Sequence, residues 1–163
     1  MPVTTQDLIQ GVRKSRQFLF KHLDGLTETQ WNWKPYPECK SVAETIKHLI
    51  VDDRFALYSL EAKEATSHDM YDVFNMRVEE EAPKEREALI AMVQNSFEAV
   101  MTAIQQRYGD CPLDTEIYIY GEKMTLANGI PYLSSEDFYH AGQIGFIRLA
   151  TDPSWDYYSQ IYG

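Results

Sequence analysis

Two side chains on the last long helix predicted from the sequence are of types that bind metal ions or transfer protons. Glu136 and His140 are four residues apart, so on a helix they lie one above the other on the same face. Leu133, Ile144 and Ile147 share this face when the chain advances by about 100° per residue. Because an unpaired buried charge is costly, a carboxylate in this apolar stripe needs a partner. A metal ion or a hydrogen bond from the histidine would provide one.

A third candidate, His48, lies on an earlier predicted helix, on the flank of its apolar stripe. Two neutral imidazoles and one carboxylate can bind a divalent ion on one face and leave other positions open to water or substrate. Non-haem iron sites and catalytic zinc sites use this ligand set. The spacing alone is a weak signal, since a histidine on an apolar face is more often a hydrogen-bonded core residue.

Four long helices are predicted to position these groups. They cover approximately residues 6–24, 42–62, 83–108 and 131–151. Their ends carry recognisable signals, such as a capping box at 41–44 and glycines at 25 and 109. The pattern predicts an all-α, up-and-down four-helix bundle with long inter-helix loops. The chain length favours a single domain over residues 1–163.

The connections between these helices are predicted to be mostly irregular. Residues 26–39 would form a loop with a short helical turn near Trp31, and residues 63–81 a polar loop with at most one helical turn. Residues 115–126 alternate in polarity, which is compatible with a small hairpin turning at 121–123 or with an extended loop.

One acid in the second long helix is predicted to have a structural role. Asp53 falls in the middle of the apolar stripe of the helix over 42–62. An acid at such a position needs a buried donor, such as a tyrosine or an arginine. We therefore expect Asp53 to accept a hydrogen bond rather than to take part in chemistry.

Composition excludes several classes of function. The formal net charge is −10 and the isoelectric point is about 4.8, which argues against binding to nucleic acid or to anionic membranes. No apolar run approaches the length of a membrane span, and the N-terminus does not resemble a signal peptide. A cytoplasmic location is expected.

Cys39 and Cys111 are too few for a disulfide framework, although Cys39 precedes the second helix near a possible pocket and could serve as an internal thiol.

Two segments of the chain resemble the two halves of the DinB/YfiT-like signature. The first is Trp33-x-Pro35-x-Pro37 followed by Ser-Val-Ala-Glu-Thr-Ile-Lys-His-Leu over residues 41–49. The second is His140-x-Gly-Gln-Ile over residues 140–144, with an arginine one turn later. The resemblance implies a four-helix bundle, often dimeric, in which three histidines hold a divalent ion such as nickel, zinc or iron. Relatives include thiol-dependent S-transferases, a maleylpyruvate isomerase and predicted metal hydrolases.

Carried over to this sequence, the resemblance makes His48 the first ligand and His140 the last. The middle histidine of the pattern falls at position 136, where this chain has glutamate. Either Glu136 is itself a ligand, which we favour, or the site has decayed and Glu136 is only hydrogen-bonded. A carboxylate ligand would make the ion a poorer Lewis acid and could shift its preference toward iron or manganese. Asp137 is a substitute ligand of second rank.

Gln143 and Asp52 each lie within one turn of a predicted ligand, so either could orient it.

Three functions stay open at this point. The first is a metal-dependent enzyme acting on a small molecule, either a transferase that uses a low-molecular-weight thiol or a hydrolase that activates water. The second is a non-catalytic module that binds a metal or a small ligand. The third is a bundle with an empty site that associates with a partner. A homodimer is expected.

Overall fold

The computed structural model describes residues 2–62 and 68–163, and these residues are mostly helical. The elements in chain order are α1 (Thr5–Lys21), α2 (Glu28–Asn32), α3 (Val42–Ala62), α4 (His68–Glu81), α5 (Arg86–Tyr108), β1 (Glu116–Ile119), β2 (Glu122–Thr125), α6 (Leu126–Tyr132), α7 (Ser134–Thr151) and α8 (Tyr157–Tyr162). The four long predicted helices correspond to α1, α3, α5 and α7.

Local sequence signals explain where these helices begin and end. Ser41 and Glu44 form the predicted capping box of α3, in which each side chain accepts a hydrogen bond from the other residue's backbone N–H. Thr4 caps α1, and Asp7 completes a second capping box with it. Gly109 follows the last residue of α5.

The polar loop predicted over 63–81 is wrong over most of its length, because residues 68–81 form α4. Residues 63–67 lie outside the described residues. Val78 is buried in α4, and Tyr71 and Phe74 pack against the same core. Their spacing of three and four residues is helical, but the acidic run at 79–81 obscures it in the sequence.

The connection after α5 is also more regular than a loop. β1 and β2 pair antiparallel, with Ile119 opposite Glu122, which agrees with the hairpin alternative. The turn consists of Tyr120 and Gly121, earlier than the predicted 121–123. Their φ angles of 51° and 80° are both positive, as a two-residue hairpin turn of type I′ requires.

The start of the last helix also differs from the prediction. Pro131 lies inside the separate short helix α6, and α7 begins only at Ser134. The predicted end at residue 151 is confirmed, since α7 ends at Thr151 before Pro153.

The long helices pack so that α3 and α7 carry parts of one core. α3 contacts mainly α5 and α4, whereas α7 contacts mainly α1. Leu49 and Ile50 of α3 and Ile144 and Ile147 of α7 belong to the same buried cluster, which brings one face of each helix together. None of the described helices combines the length and the apolar composition that a membrane span needs. The up-and-down order and the single domain over 1–163 stay predictions.

Candidate metal centre

Four side chains from two helices meet at the junction of α3 and α7. His48 and Asp52 come from α3, and Glu136 and His140 come from α7. Each can offer one ligand atom, and these four atoms lie within 4.8 Å of one another. His48 Nε2 is 3.3 Å from Asp52 Oδ2, and His140 Nε2 is 3.5 Å from Glu136 Oε2. The structure thus brings the three predicted metal ligands together and adds Asp52 to them. We call these four residues the metal cluster.

The predicted orienting residue Gln143 contacts His140 directly. Its Oε1 lies 2.7 Å from His140 Nδ1, so Nδ1–H donates to this oxygen, and whenever the ring is neutral its lone pair is on Nε2. His140 is 3% exposed. Its Nε2 is buried and has no hydrogen-bond partner among the described residues. A metal ligand needs this arrangement of the ring.

His48 is oriented by a tyrosine that sequence reasoning missed. The Tyr71 hydroxyl donates to Asp52 Oδ1 at 3.1 Å and lies 2.8 Å from His48 Nδ1. With its hydrogen on Asp52, the hydroxyl accepts from Nδ1–H, so the lone pair of His48 is on Nε2. Asp52 Oδ2 is buried and lacks a hydrogen-bond partner within the described ranges. Tyr71 belongs to α4, and its helical spacing to Phe74 and Val78 was the available signal.

Burial and mutual charge set the protonation of the metal cluster. Burial lowers the pKa of His48 to about 4, with help from His140 and Lys40. Burial and the charge of Glu136 raise the pKa of Asp52 to about 7, although the Tyr71 hydrogen bond opposes this. The His140 ring lowers the pKa of Glu136 more than burial raises it. At neutral pH, His48 is therefore neutral and Glu136 is charged.

The residues present fit a divalent ion. Imidazole nitrogens and carboxylate oxygens are the donors that zinc, iron, manganese and nickel accept in proteins. Two carboxylates this close repel each other, which together with burial raises the pKa of Asp52, and a divalent cation would balance both charges. His140 Nε2 and Asp52 Oδ2 would also gain the partner that each lacks among the described residues.

Comparison with models of known protein families gives a match over most of the chain. The model of the DinB superfamily matches residues 12–144, a range that includes all four members of the metal cluster. The chain belongs to the DinB superfamily. A search of curated proteins finds no match to it.

Within this DinB chain, Asp137 does not belong to the metal cluster, so its ranking as a substitute ligand is wrong. Its side chain is 0% exposed and accepts from Arg16 Nε at 2.6 Å and from Ser15 Oγ at 2.8 Å. Successive residues on a helix point about 100° apart, so Asp137 faces away when Glu136 faces the cluster. Asp53 pairs with the same Arg16, which confirms that it accepts from a buried donor.

A cavity of about 730 Å³ opens beside His48 and His140 of this DinB protein. Its volume is that of a small-molecule site. The other lining residues are Pro35, Tyr36, Glu38, Cys39, Lys40, Tyr139, Gly142, Gln143, Phe146 and Ile147. Cys39 is thus at the pocket wall as expected, and both Cys39 and Cys111 are free thiols. Cys39 is not a member of the metal cluster.

Tyr71→Phe is expected to weaken metal binding about 10- to 100-fold, the usual cost of losing a partner that orients a ligand. The change leaves His48 Nδ1 and Asp52 Oδ1 without the hydroxyl that connects them. Isothermal titration with Zn²⁺ measures the effect. Tyr58→Phe is the matched control, since Tyr58 packs against Phe74 of the same helix as Tyr71. Equal affinities of parent and Tyr71→Phe would contradict the orienting role.

Proposed function

We propose that this DinB protein binds a divalent metal ion through His48, Glu136 and His140, with Asp52 as a further carboxylate. The observation that supports this best is the pair of buried atoms without hydrogen-bond partners in the described chain, His140 Nε2 and Asp52 Oδ2. Both belong to residues of the metal cluster. The proposal includes a single domain over 1–163 whose four long helices run up and down.

We further propose that the protein is a metal-dependent enzyme for a small molecule held in the adjoining cavity. A bound divalent ion would lower the pKa of a coordinated thiol or water and thereby supply a nucleophile. Gln143 and Tyr71 hold the two imidazole rings with their Nε2 lone pairs available. Apolar side chains at the cavity, such as Phe146 and Ile147, would contact the apolar part of an organic substrate.

Two reactions fit this arrangement. The first is transfer of a group to a low-molecular-weight thiol, and the second is hydrolysis by activated water. Because Glu136 adds a negative charge where the family pattern has histidine, water bound there would be less acidic than at a three-histidine site. That difference favours the thiol, because a free thiol is far more acidic than water and needs less help from the ion to lose its proton, and we place the thiol transferase first.

The test of the metal claim is elemental analysis of protein purified without chelating resin, which also identifies the ion among nickel, zinc, iron and manganese. Near-stoichiometric metal is expected in the parent and little in Glu136→Ala. Metal that persists in Glu136→Ala would remove Glu136 from the ligands.

The metal-loaded parent is then assayed for thiol consumption with electrophiles and for ester and amide hydrolysis. Full occupancy without turnover would favour the alternative, a non-catalytic metal- or ligand-binding module.

Metal affinity is expected to rise with pH until Asp52 has lost its proton. Because its pKa is raised to about 7, an ion must displace this proton below neutrality, whereas His48, with a pKa of about 4, has none to lose there. Loss of this proton should therefore raise the affinity by up to about tenfold per pH unit below pH ~7. Above that pH, Asp52 should add no further pH dependence. Zn²⁺ titrations across this range measure the slope. Asp52→Asn should flatten it, and an unchanged slope in that variant would contradict the assignment.

The homodimer implied by the family resemblance is also a proposal. Its support is a set of exposed apolar side chains on α7, where Tyr139 and Phe146 are 63% and 62% exposed and Leu149 is 43% exposed. Such grouping is typical of interaction surfaces. Sedimentation equilibrium should give a dimer for the parent and a monomer for Phe146→Lys. Met76→Lys, at an exposed apolar position of α4, should stay dimeric.

A further inference from the structure

Two consecutive pairs of acids connect the metal cluster to a buried arginine. Asp52 and Asp53 are neighbours on α3, and Glu136 and Asp137 are neighbours on α7. In each pair the first carboxylate belongs to the metal cluster, and the second binds Arg16 of α1. Neighbours on a helix point about 100° apart, so the two acids of a pair face different surroundings. Because they share one helix backbone, any displacement of the second acid also moves the first.

The contacts of Arg16 are geometrically specific. Its Nη1 and Nη2 donate to the two oxygens of Asp53 at 3.1 and 3.0 Å, and its Nε donates to Asp137 Oδ1 at 2.6 Å. Ser15 donates to the other oxygen of Asp137, and Ser96 donates to Asp53 Oδ2. Arg16, Asp53 and Asp137 are 4%, 5% and 0% exposed. Burial alone would lower the pKa of Arg16, but the two carboxylates raise it, so Arg16 remains charged.

This arginine links two helices that are supported mainly by other elements. α3 packs chiefly on α5 and α4, and α7 packs chiefly on α1. Yet α3 and α7 together carry all four members of the metal cluster. A planar guanidinium that binds one carboxylate with two nitrogens and a second with its Nε leaves little freedom in the distance between those helices.

We propose that Arg16 is a positioning residue for the metal cluster. By binding Asp53 and Asp137 at the same time, it holds α3 and α7 at the separation that brings Asp52 and Glu136 to the two histidines. Arg16 is not itself a member of the cluster, and it acts through the residue next to each carboxylate. This inference rests on the proposed metal-binding function.

The test uses two variants of the network in the full chain. Arg16→Lys keeps the charge but cannot bind Asp53 with two nitrogens. The triple variant Arg16→Met, Asp53→Asn, Asp137→Asn removes the network without leaving a buried charge unpaired. It is therefore expected to fold at least as readily as Arg16→Lys.

A matched control separates positioning from general damage to the interior. Arg148→Lys changes another buried arginine, one that lies on α7 and donates to the backbone carbonyls of His22 and Asp24. This substitution perturbs α7, the helix that carries Glu136 and Asp137, but it does not change a contact of either acidic pair. All variants are compared at a temperature where circular dichroism shows the helical content of the parent.

Binding of Co²⁺ is followed by its visible absorption, which reports both affinity and ligand geometry. Arg16→Lys and the triple variant should bind Co²⁺ at least about tenfold more weakly, as expected for loss of an orienting partner, with an altered spectrum. Arg148→Lys should match the parent in both. Binding and spectra like those of the parent in both Arg16 variants would overturn the proposal. Failure of both variants to reach the helical content of the parent at any temperature would also overturn it, because Arg16 would then be required for folding itself.

A readout without metal keeps this inference separate from the proposed function. In the metal-free protein, the ring nitrogen NMR signals of His48 and His140 should move in Arg16→Lys and stay in place in Arg148→Lys. If the parent binds no Co²⁺, the proposed metal function fails, and these signals still decide whether Arg16 positions the cluster. Unmoved signals in Arg16→Lys would overturn the positioning role.

Discussion

His140→Ala is expected to lower the affinity for Zn²⁺ more than about 100-fold, because loss of a ligand costs more than loss of a partner that orients one. His140 is buried, and Gln143 already holds its Nδ1–H, so the ring can offer its Nε2 to an ion without rearrangement. Competition with a chromogenic chelator measures the affinity. Elemental analysis of the purified variant should show that almost all of the metal has been lost.

The matched control for this prediction is another buried histidine. His22 is 1% exposed, and its Nδ1 is held by the carbonyl of Phe18, so His22→Ala also removes a buried imidazole but leaves the metal cluster intact. It should retain the metal content of the parent. If His140→Ala retains its metal as well, the ion is not bound at the metal cluster, and the decayed-site interpretation of Glu136 gains support.

Arg16→Met is expected to lower the free energy of unfolding by about 3–5 kcal/mol, the usual cost of breaking a buried ion pair by removing one partner. Asp53 and Asp137 would be left as buried carboxylates whose charges are no longer paired with an arginine. Urea denaturation at neutral pH measures the loss. The loss should shrink as the pH falls, because buried carboxylates without their cation take up protons more readily in the folded than in the unfolded chain, so their protonation favours folding.

The control lies on the same helix. Arg13 pairs with Glu98, but the side chains of both residues are much more exposed than those of the Arg16 network. Arg13→Met should therefore cost less than about 1 kcal/mol, as surface ion pairs usually do. Equal losses in the two variants, or a loss in Arg16→Met that does not depend on pH, would contradict the account given for the buried network.

The sequence by itself determined most of the helices that carry the site. The periodic apolar positions of α1, α3, α5 and α7 are strong signals, and the capping box at Ser41 and the glycine at 109 mark boundaries that the structure reproduces closely. Spacing also placed Glu136 and His140 on one face of α7. That His48 lies beside them was implied by the resemblance to the DinB family, since its flank position on α3 left its direction open.

Some features were decided by tertiary structure alone. Helical periodicity ranks positions around one axis, but α3 contacts α2, α4, α5, α7 and the hairpin, so it has more than one buried face. Which neighbour covers each face decides that Asp52 faces the metal cluster and Asp53 faces Arg16, although both are acids on the same turn. For the same reason Asp137, next to Glu136, pairs with Arg16 of α1 instead of joining the metal cluster.

The role of α4 shows the same limit most clearly. Its sequence is polar enough to be mistaken for a loop, because a helix that packs on the core along one narrow face needs few apolar residues. Once it packs against α3, Tyr71 reaches both His48 and Asp52. Local sequence determines which segments become helices and which residues share a face. The partner of each face depends on contacts between segments far apart in the chain, and those contacts bring His48, Asp52, Glu136 and His140 together.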